Sequence, residues 1–287
     1  ALKIILIILF TLIYELQVER PFFFNMGKCF THPRQIIGDI GRGIWDSCLP
    51  TKTPWCYTHC LRQNAGTIEP TATKSSDPSI FQFITFHKPL SALLTREDVN
   101  VIVVDWSVFA SQSYSNAVTA VPSVGTFLAG FISQAVIAEK VSLATLHLVG
   151  FDLGAHVVGF AGRVLNGNVA RITGLNPSDS QWGSNSQRLS ISDARYVEVI
   201  HTDSGLMFSN GIHDAIGHVD FYVNGGNNQP GCFYNNGCSH NRSWEVFAAS
   251  LTHDHLIGNL CGTWLQISLN TLCKASGMYR SWNKNVL

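Results

Sequence analysis

The stretch Leu146–Arg163, reading LHLVGFDLGAHVVGFAGR, constrains the fold of this chain more than any other. The apolar run Leu143–Val149 reads as a buried strand, Gly150-Phe151-Asp152-Leu153-Gly154 as a sharp turn, and Ala155–Val164 as a helix. A helix that turns back directly across its own strand needs room at the crossing, and the flanking Gly150 and Gly154 supply it. The central side chain, Asp152, then stands at the carboxyl edge of a sheet and against a helix N-terminus. An exposed acid there gains roughly 0.3–1 kcal/mol from the helix dipole, so a capping role is the simplest reading of Asp152.

The rest of the chain repeats that pattern. Ile80–Phe86 (IFQFITF) and Val99–Asp105 (VNVIVVD) are apolar and rich in β-branched residues, as buried parallel strands are. Val121–Glu139 has helical spacing, and Arg171–Leu175 and Tyr196–His201 read as further strands. Strands alternating with helices predict an α/β fold with a mostly parallel central sheet. The 287 residues contain 46% hydrophobic side chains, enough for a sizeable core, and no internal repeat. Lys plus Arg and Asp plus Glu are 19 each, which argues against nucleic-acid binding, where a basic excess is needed.

The N-terminal stretch ALKIILIILFTLIYELQVERP holds an apolar run, Ile4–Ile13, of the length of a secretory h-region and too short to span a bilayer. Residues 1–20 are expected to be a leader, with the cut placed loosely before Pro21. No other segment reads as transmembrane. Residues 21–78, irregular and cysteine-bearing, are expected to form a disulfide-tied segment of one domain whose core is 79–287. Eight cysteines in a secreted chain favour disulfides over zinc, whose usual spacings are missing. Cys232–Cys238 and Cys261–Cys273 are the expected bridges; pairing among Cys29, Cys48, Cys56 and Cys60 stays open. Asn241-Arg242-Ser243 is a glycosylation sequon, marking Asn241 as a glycan site in an extracellular protein.

Strand, glycine-flanked turn and helix make the context of a nucleophile elbow, G-x-S-x-G, here with aspartate in the serine position. The segments LHLVGFDLGAHVVGFAGR, RITGLNPSDS, VEVIHTDSG, GHVDFYVNGGNNQPGC and CSHNRSWEVFAASL follow in that order. Together they resemble the pancreatic-lipase family, especially its insect secreted phospholipase A1-like branch, from about Val99 to Cys273. The resemblance implies an α/β-hydrolase fold with flanking helices, without the C-terminal β-sandwich that pancreatic lipases add. It implies a short lid at Phe233, Tyr234, Asn235, Asn236 and Gly237. Carried over, the nucleophilic serine falls on Asp152, the triad acid on Asn176 and the histidine on His240. The Leu153 backbone N–H is the expected surviving oxyanion donor. The loop for the other donor reads His87-Lys88-Pro89, and proline has no N–H to give.

These departures decide the expected chemistry. Serine hydrolysis needs a nucleophile whose proton passes to a histidine held by an acid. Asp152 is expected instead to pair with His240 as an imidazolium. Asn176 cannot stabilise an imidazolium, a change that alone costs about 10⁴ in rate in serine proteases. Asp179, beyond the turn at Pro177, is the alternative acid. The reading is therefore a degenerate triad, as the resemblance to serine-less insect yolk proteins suggests: a storage, carrier or secretion protein. An apolar small molecule or lipid is its expected ligand, and no cofactor is called for. Two enzymatic alternatives stand beside it. Asp152 is the nucleophile type of haloalkane dehalogenases and epoxide hydrolases, or some lipase or phospholipase A1 activity persists. His201/Asp203, His213/Asp214, His218/Asp220 and His253/Asp254/His255 invite a metal reading, which their spacing does not support. Phe22–Phe24 and Phe81–Phe86 are expected in the core rather than on a membrane.

Overall fold

In the computed structural model, residues 3–8, 57–61, 99–205, 208–253, 256, 258–269 and 271–273 are described. Among the described residues seven strands form one sheet: β1 (Lys3–Ile8), β2 (Tyr57–Leu61), β3 (Val99–Asp105), β4 (Leu146–Phe151), β5 (Arg171–Leu175), β6 (Val197–His201) and β7 (Val219–Tyr222). Their order is β2-β3-β1-β4-β5-β6-β7, parallel throughout except for β2, which runs antiparallel to β3. Every residue of β4, β5 and β6 is buried, as in parallel sheets covered on both faces. This is the α/β-hydrolase architecture expected from the sequence.

The described helices are α1 (Ser107–Ala110), α2 (Tyr114–Ile137), α3 (Leu153–Val164), α4 (Asn236–Thr252) and α5 (Trp264–Leu269). Helix α3 buries ten of its residues between the sheet and α2. Close packing there requires Gly125, because a Cβ at that position would lie 2.4 Å from the Phe160 Cβ. Helix α2 starts at Tyr114, about two turns before the expected Val121. Pro122 reads as a helix start, yet the buried stripe Ala117, Val121, Val124, Leu128 and Ile132 carries the helix through it. At 24 residues α2 is long and apolar enough to cross a membrane, contrary to the sequence reading that no second segment was. Its stripe is instead the face packed into the core.

Strand β4 begins at Leu146 rather than Leu143, because the Ser142 hydroxyl accepts the Ala144 N–H and winds residues 143–145 into a 3₁₀ turn. Strands β2 and β7 were not foreseen: each is short, and β7 is only half-buried. Strand β1 falls within the stretch expected to be a leader, and it pairs in parallel with both β3 and β4. Cys60 lies on β2. The expected strand Ile80–Phe86, the His87-Lys88-Pro89 loop, Phe22–Phe24 and Cys29, Cys48 and Cys56 lie outside the described residues.

Buried polar groups cross-link the sheet beneath the site. The Arg171 guanidinium meets the Glu198 carboxylate at 2.6 Å with both side chains buried. The Thr173 hydroxyl also donates to Glu198 at 2.6 Å, and it accepts from His147 Nε2 at the same distance. Burial, aided by the Arg171 charge, pushes the His147 pKa well below its ordinary value, so the ring is held neutral.

Candidate active site

Asp152 caps α3 with φ 54° and ψ −121°, a positive-φ conformation outside the left-handed helical region and strained for a residue other than glycine. Its backbone is tied on both sides: its N–H donates to the Leu175 carbonyl at 3.1 Å, and its own carbonyl accepts from Ala155. Gly150 is obligatory, since a Cβ there would lie 2.2 Å from the Gly154 carbonyl oxygen. The strained turn lifts the Asp152 side chain away from the cap, and the carboxylate makes no hydrogen bond to the helix N-terminus. The capping role is thus replaced by a side chain aimed at His240.

His240 lies on α4, and its Nε2 is 3.3 Å from Asp152 Oδ1. Its ring packs on Phe151 with centroids 4.6 Å apart. Neither Asp152 oxygen nor His240 Nε2 has a hydrogen-bond partner of good geometry, and Asp152 is only 1% exposed. On the other side of the imidazole, Asn176 Nδ2 is 2.5 Å from His240 Nδ1. The structure therefore brings Asp152, His240 and Asn176 together in the order of a hydrolase triad.

The orientation of Asn176 is fixed by groups that sequence reasoning did not find. Its Oδ1 accepts the Thr202 N–H at 2.8 Å and the Asp203 N–H at 2.9 Å, so the amide NH₂ must face His240. Gly211 leaves room for this amide, because a Cβ there would be 2.4 Å from Asn176 Nδ2. With a donor facing it, His240 Nδ1 must accept, and the ring proton belongs on Nε2. An imidazolium would set N–H against N–H. The expected Asp152–imidazolium pair is corrected accordingly: Asp152 faces a neutral imidazole with its Nε2–H turned toward the carboxylate. That is the tautomer opposite to the one a hydrolase base requires.

Around this trio the chain is firmly held. Gln229 donates to the carbonyls of Thr202, Val223 and Asn227, and Asp203 holds Asn210 through its backbone and side-chain amides. Tyr114, on α2, shares a 2.6 Å hydrogen bond with Ser178 and donates to the Ser180 carbonyl. Burial, with the Asp152 charge adding to it, pushes the Tyr114 phenol well above its ordinary range. Asp179 pairs its backbone with Asn210 and is not among the groups touching His240.

Residues 84–263, more than half the chain, match the protein family described as Lipase. The chain belongs to the lipase family. Among its relatives, "Probable phospholipase A1 magnifin" of Vespa magnifica is 32% identical over 266 residues, covering 79% of this chain and 78% of that protein. "Lipase member H" of Xenopus tropicalis is 35% identical over 213 residues, 65% of this chain and 44% of that protein. "Phospholipase A1 member A" of Bos taurus is 41% identical over 145 residues, 50% of this chain and 31% of that protein. The chain thus spans under half the length of these two vertebrate relatives, and much more of the wasp one. Similarity to the insect phospholipase A1-like branch agrees with the sequence motifs.

Both expected bridges are present: Cys232–Cys238 with Cα atoms 5.4 Å apart, and Cys261–Cys273 at 4.5 Å. Of the five residues expected as a lid, Asn235 caps α4 by accepting the Cys238 N–H, and Asn236 and Gly237 begin the helix. Only Phe233 and Tyr234 stand free of it, both more than four-fifths exposed. Bridge and cap lock the start of the helix that carries His240. Asn241, the next residue, is exposed on α4.

The histidine–aspartate pairs of the sequence do not converge. His201 contacts Asp220 at 2.8 Å rather than Asp203, while its Nδ1 faces the Ile212 carbonyl. His213 faces the Ser204 carbonyl, and His218 accepts the Val197 N–H. Among the described residues no group of three or more His, Cys, Asp and Glu is placed to hold a metal. Asp254 and His255 lie outside the described residues.

Proposed function

We propose that this lipase-family chain does not hydrolyse esters and serves as a secreted storage, carrier or secretion protein, with a lipid or other apolar small molecule as its ligand. One observation carries this reading. Asp152 stands where a serine nucleophile would stand, and the base beside it presents a proton rather than a lone pair. Carboxylate attack on an ester would give an anhydride, which lies uphill of the ester. With Asn176 in place of an acid, the imidazolium that forms during acyl transfer has no partner to stabilise it. The Leu153 N–H, in the first turn of α3, remains as an oxyanion donor.

Disulfides at Cys232–Cys238 and Cys261–Cys273 support export to an oxidising compartment. Removal of residues 1–20 would take β1 out of the sheet. Ile80–Phe86 has the composition to pair in its place, so N-terminal sequencing of secreted protein decides whether the leader reading stands.

The test of the function is direct. Purified chain is assayed on a phospholipid and a short-chain ester beside Asp152→Ala. Turnover no higher than the variant or blank is expected. Turnover well above blank in both proteins would reveal another nucleophile and overturn the proposal.

The unbonded carboxylate oxygens of Asp152 favour one second reading, an aspartyl nucleophile. Attack on an alkyl halide would form an ester at Asp152 and release halide. Hydrolysis of that ester then needs a base, and the Nε2–H of His240 is not one in this tautomer. This reading predicts a stable alkyl adduct on Asp152 by mass spectrometry, whereas the carrier reading predicts none.

A further inference from the structure

A groove lies at the end of the sheet opposite Asp152. Strands β4, β5 and β6 are parallel, so the segments that lead into them gather at one edge, about 20 Å from the elbow along six-residue β4. The groove there has a volume of about 550 Å³, within the range of small-molecule sites. Val136, Val141 and Leu143, all half-buried, give it an apolar lining.

Its walls are tied to one another by the backbone. The Leu143 carbonyl accepts the Ala170 N–H at 2.8 Å, and the Val169 carbonyl accepts the Arg195 N–H at 2.9 Å. These bonds join the entries of β4, β5 and β6. At the end of α2 the Ala135 carbonyl accepts the N–H groups of Lys140 and Val141, which fixes the fourth wall. A groove built this way is preformed, so a ligand need not order it.

Charge is unevenly spread around it. Lys140 and Arg195 line the groove, and neither side chain makes an ion pair or hydrogen bond among the described residues. Glu139 on the rim offsets one of these two charges, leaving the groove with one net positive charge. The Asn168 amide, also in the lining, adds a neutral donor.

We propose that this groove binds a small organic anion, a carboxylate with a short apolar body. Arg195 and Lys140 hold the charge, and Val136, Val141 and Leu143 take the apolar part. The planar fork of arginine matches the two oxygens of a carboxylate, which a lysine alone would meet as a point charge. A neutral molecule of the same shape gains only the apolar contact, and a cation is repelled. The site is separate from the elbow and goes beyond the function proposed above: it stands whether or not the elbow hydrolyses esters.

The test uses the full chain and three probes of equal length, octanoate, octanol and octylammonium. Isothermal titration calorimetry is expected to rank octanoate tightest, by about tenfold over octylammonium, with its affinity falling as salt is raised. Arg195→Gln and Lys140→Gln should each weaken octanoate about fivefold, and Glu139→Gln, which removes the opposing charge, should tighten it about twofold. Circular dichroism confirms that the variants are folded, and the gain in Glu139→Gln is a change that misfolding does not produce. Octanoate affinity unmoved by all three substitutions would put the binding elsewhere and overturn the inference. Octanol or octylammonium matching octanoate, or no binding of octanoate, would overturn it as well.

Discussion

Replacing Asp152 by asparagine should make the protein more stable, and the structure gives the size of the gain. The carboxylate is 1% exposed and makes no good hydrogen bond. Burying an ion costs several kcal/mol even after relaxation. Against this stand the α3 N-terminus, worth up to about 2 kcal/mol in a partly buried setting, and the strained contact with His240, worth about 1 kcal/mol. A net cost of about 1–3 kcal/mol remains, which Asp152→Asn removes. The backbone adds nothing, because asparagine, isosteric with aspartate, carries the same strain at φ 54° and ψ −121°. For a domain of this size the gain is a rise of about 2–10 °C in Tm. Thermal unfolding followed by circular dichroism at pH 7, repeated in urea, measures it. A fall in stability of 1 kcal/mol or more would show that the carboxylate is well paired, with His240 as an imidazolium. The account of the site built on Asn176 would then be refuted.

Three further outcomes follow from the same contacts. Gly150→Ala forces a Cβ within 2.2 Å of the Gly154 carbonyl oxygen and should cost about 4 kcal/mol or prevent folding, read from soluble yield and urea midpoint. Glu198→Ala removes the buried carboxylate that Arg171 and Thr173 both meet and should cost about 3–5 kcal/mol by urea unfolding, whereas a loss below 1 kcal/mol would show the pair is dispensable. His156 is stacked on Trp182 and bonded to the Ser178 carbonyl and the Leu189 N–H, and its pKa is lowered from 6.5 to about 4, chiefly by burial. A depressed histidine pKa gives stability that is fully present above pH 6.5 and lost as the pH falls through 4. Urea midpoints between pH 7 and 4 should therefore fall more steeply in the native chain than in His156→Gln, by up to about 3 kcal/mol.

The elbow was legible because steric need is local: two glycines four residues apart, between an apolar run and a helix, admit few other geometries. The strand limits at Val99–Asp105 and Arg171–Leu175 were legible because each is a short segment rich in β-branched residues, bounded by polar or turn-forming ones. Asn176 and His240 were reached through resemblance, as no short-range pattern links residues 64 positions apart. The proton position on His240 was not legible at all. It depends on two backbone N–H groups, at Thr202 and Asp203, that meet Asn176 only once β5 and β6 lie side by side. The first two turns of α2, before Pro122, were missed because their apolar residues are sparse, and the helix continues through the proline on its buried stripe. Short strands such as β7, with half-buried residues, carried too little pattern to stand out.

The central claim is that Asn176 holds His240 with its proton on Nε2, leaving no base beside the elbow. Nitrogen-15 NMR of histidine-labelled protein at pH 7.5 reads this directly through long-range couplings to the ring carbon-bound protons. The His240 spin system, assigned by its loss in His240→Gln, should show a protonated Nε2 and a bare, accepting Nδ1. A protonated Nδ1 with a bare Nε2, or two protonated nitrogens, would contradict the account.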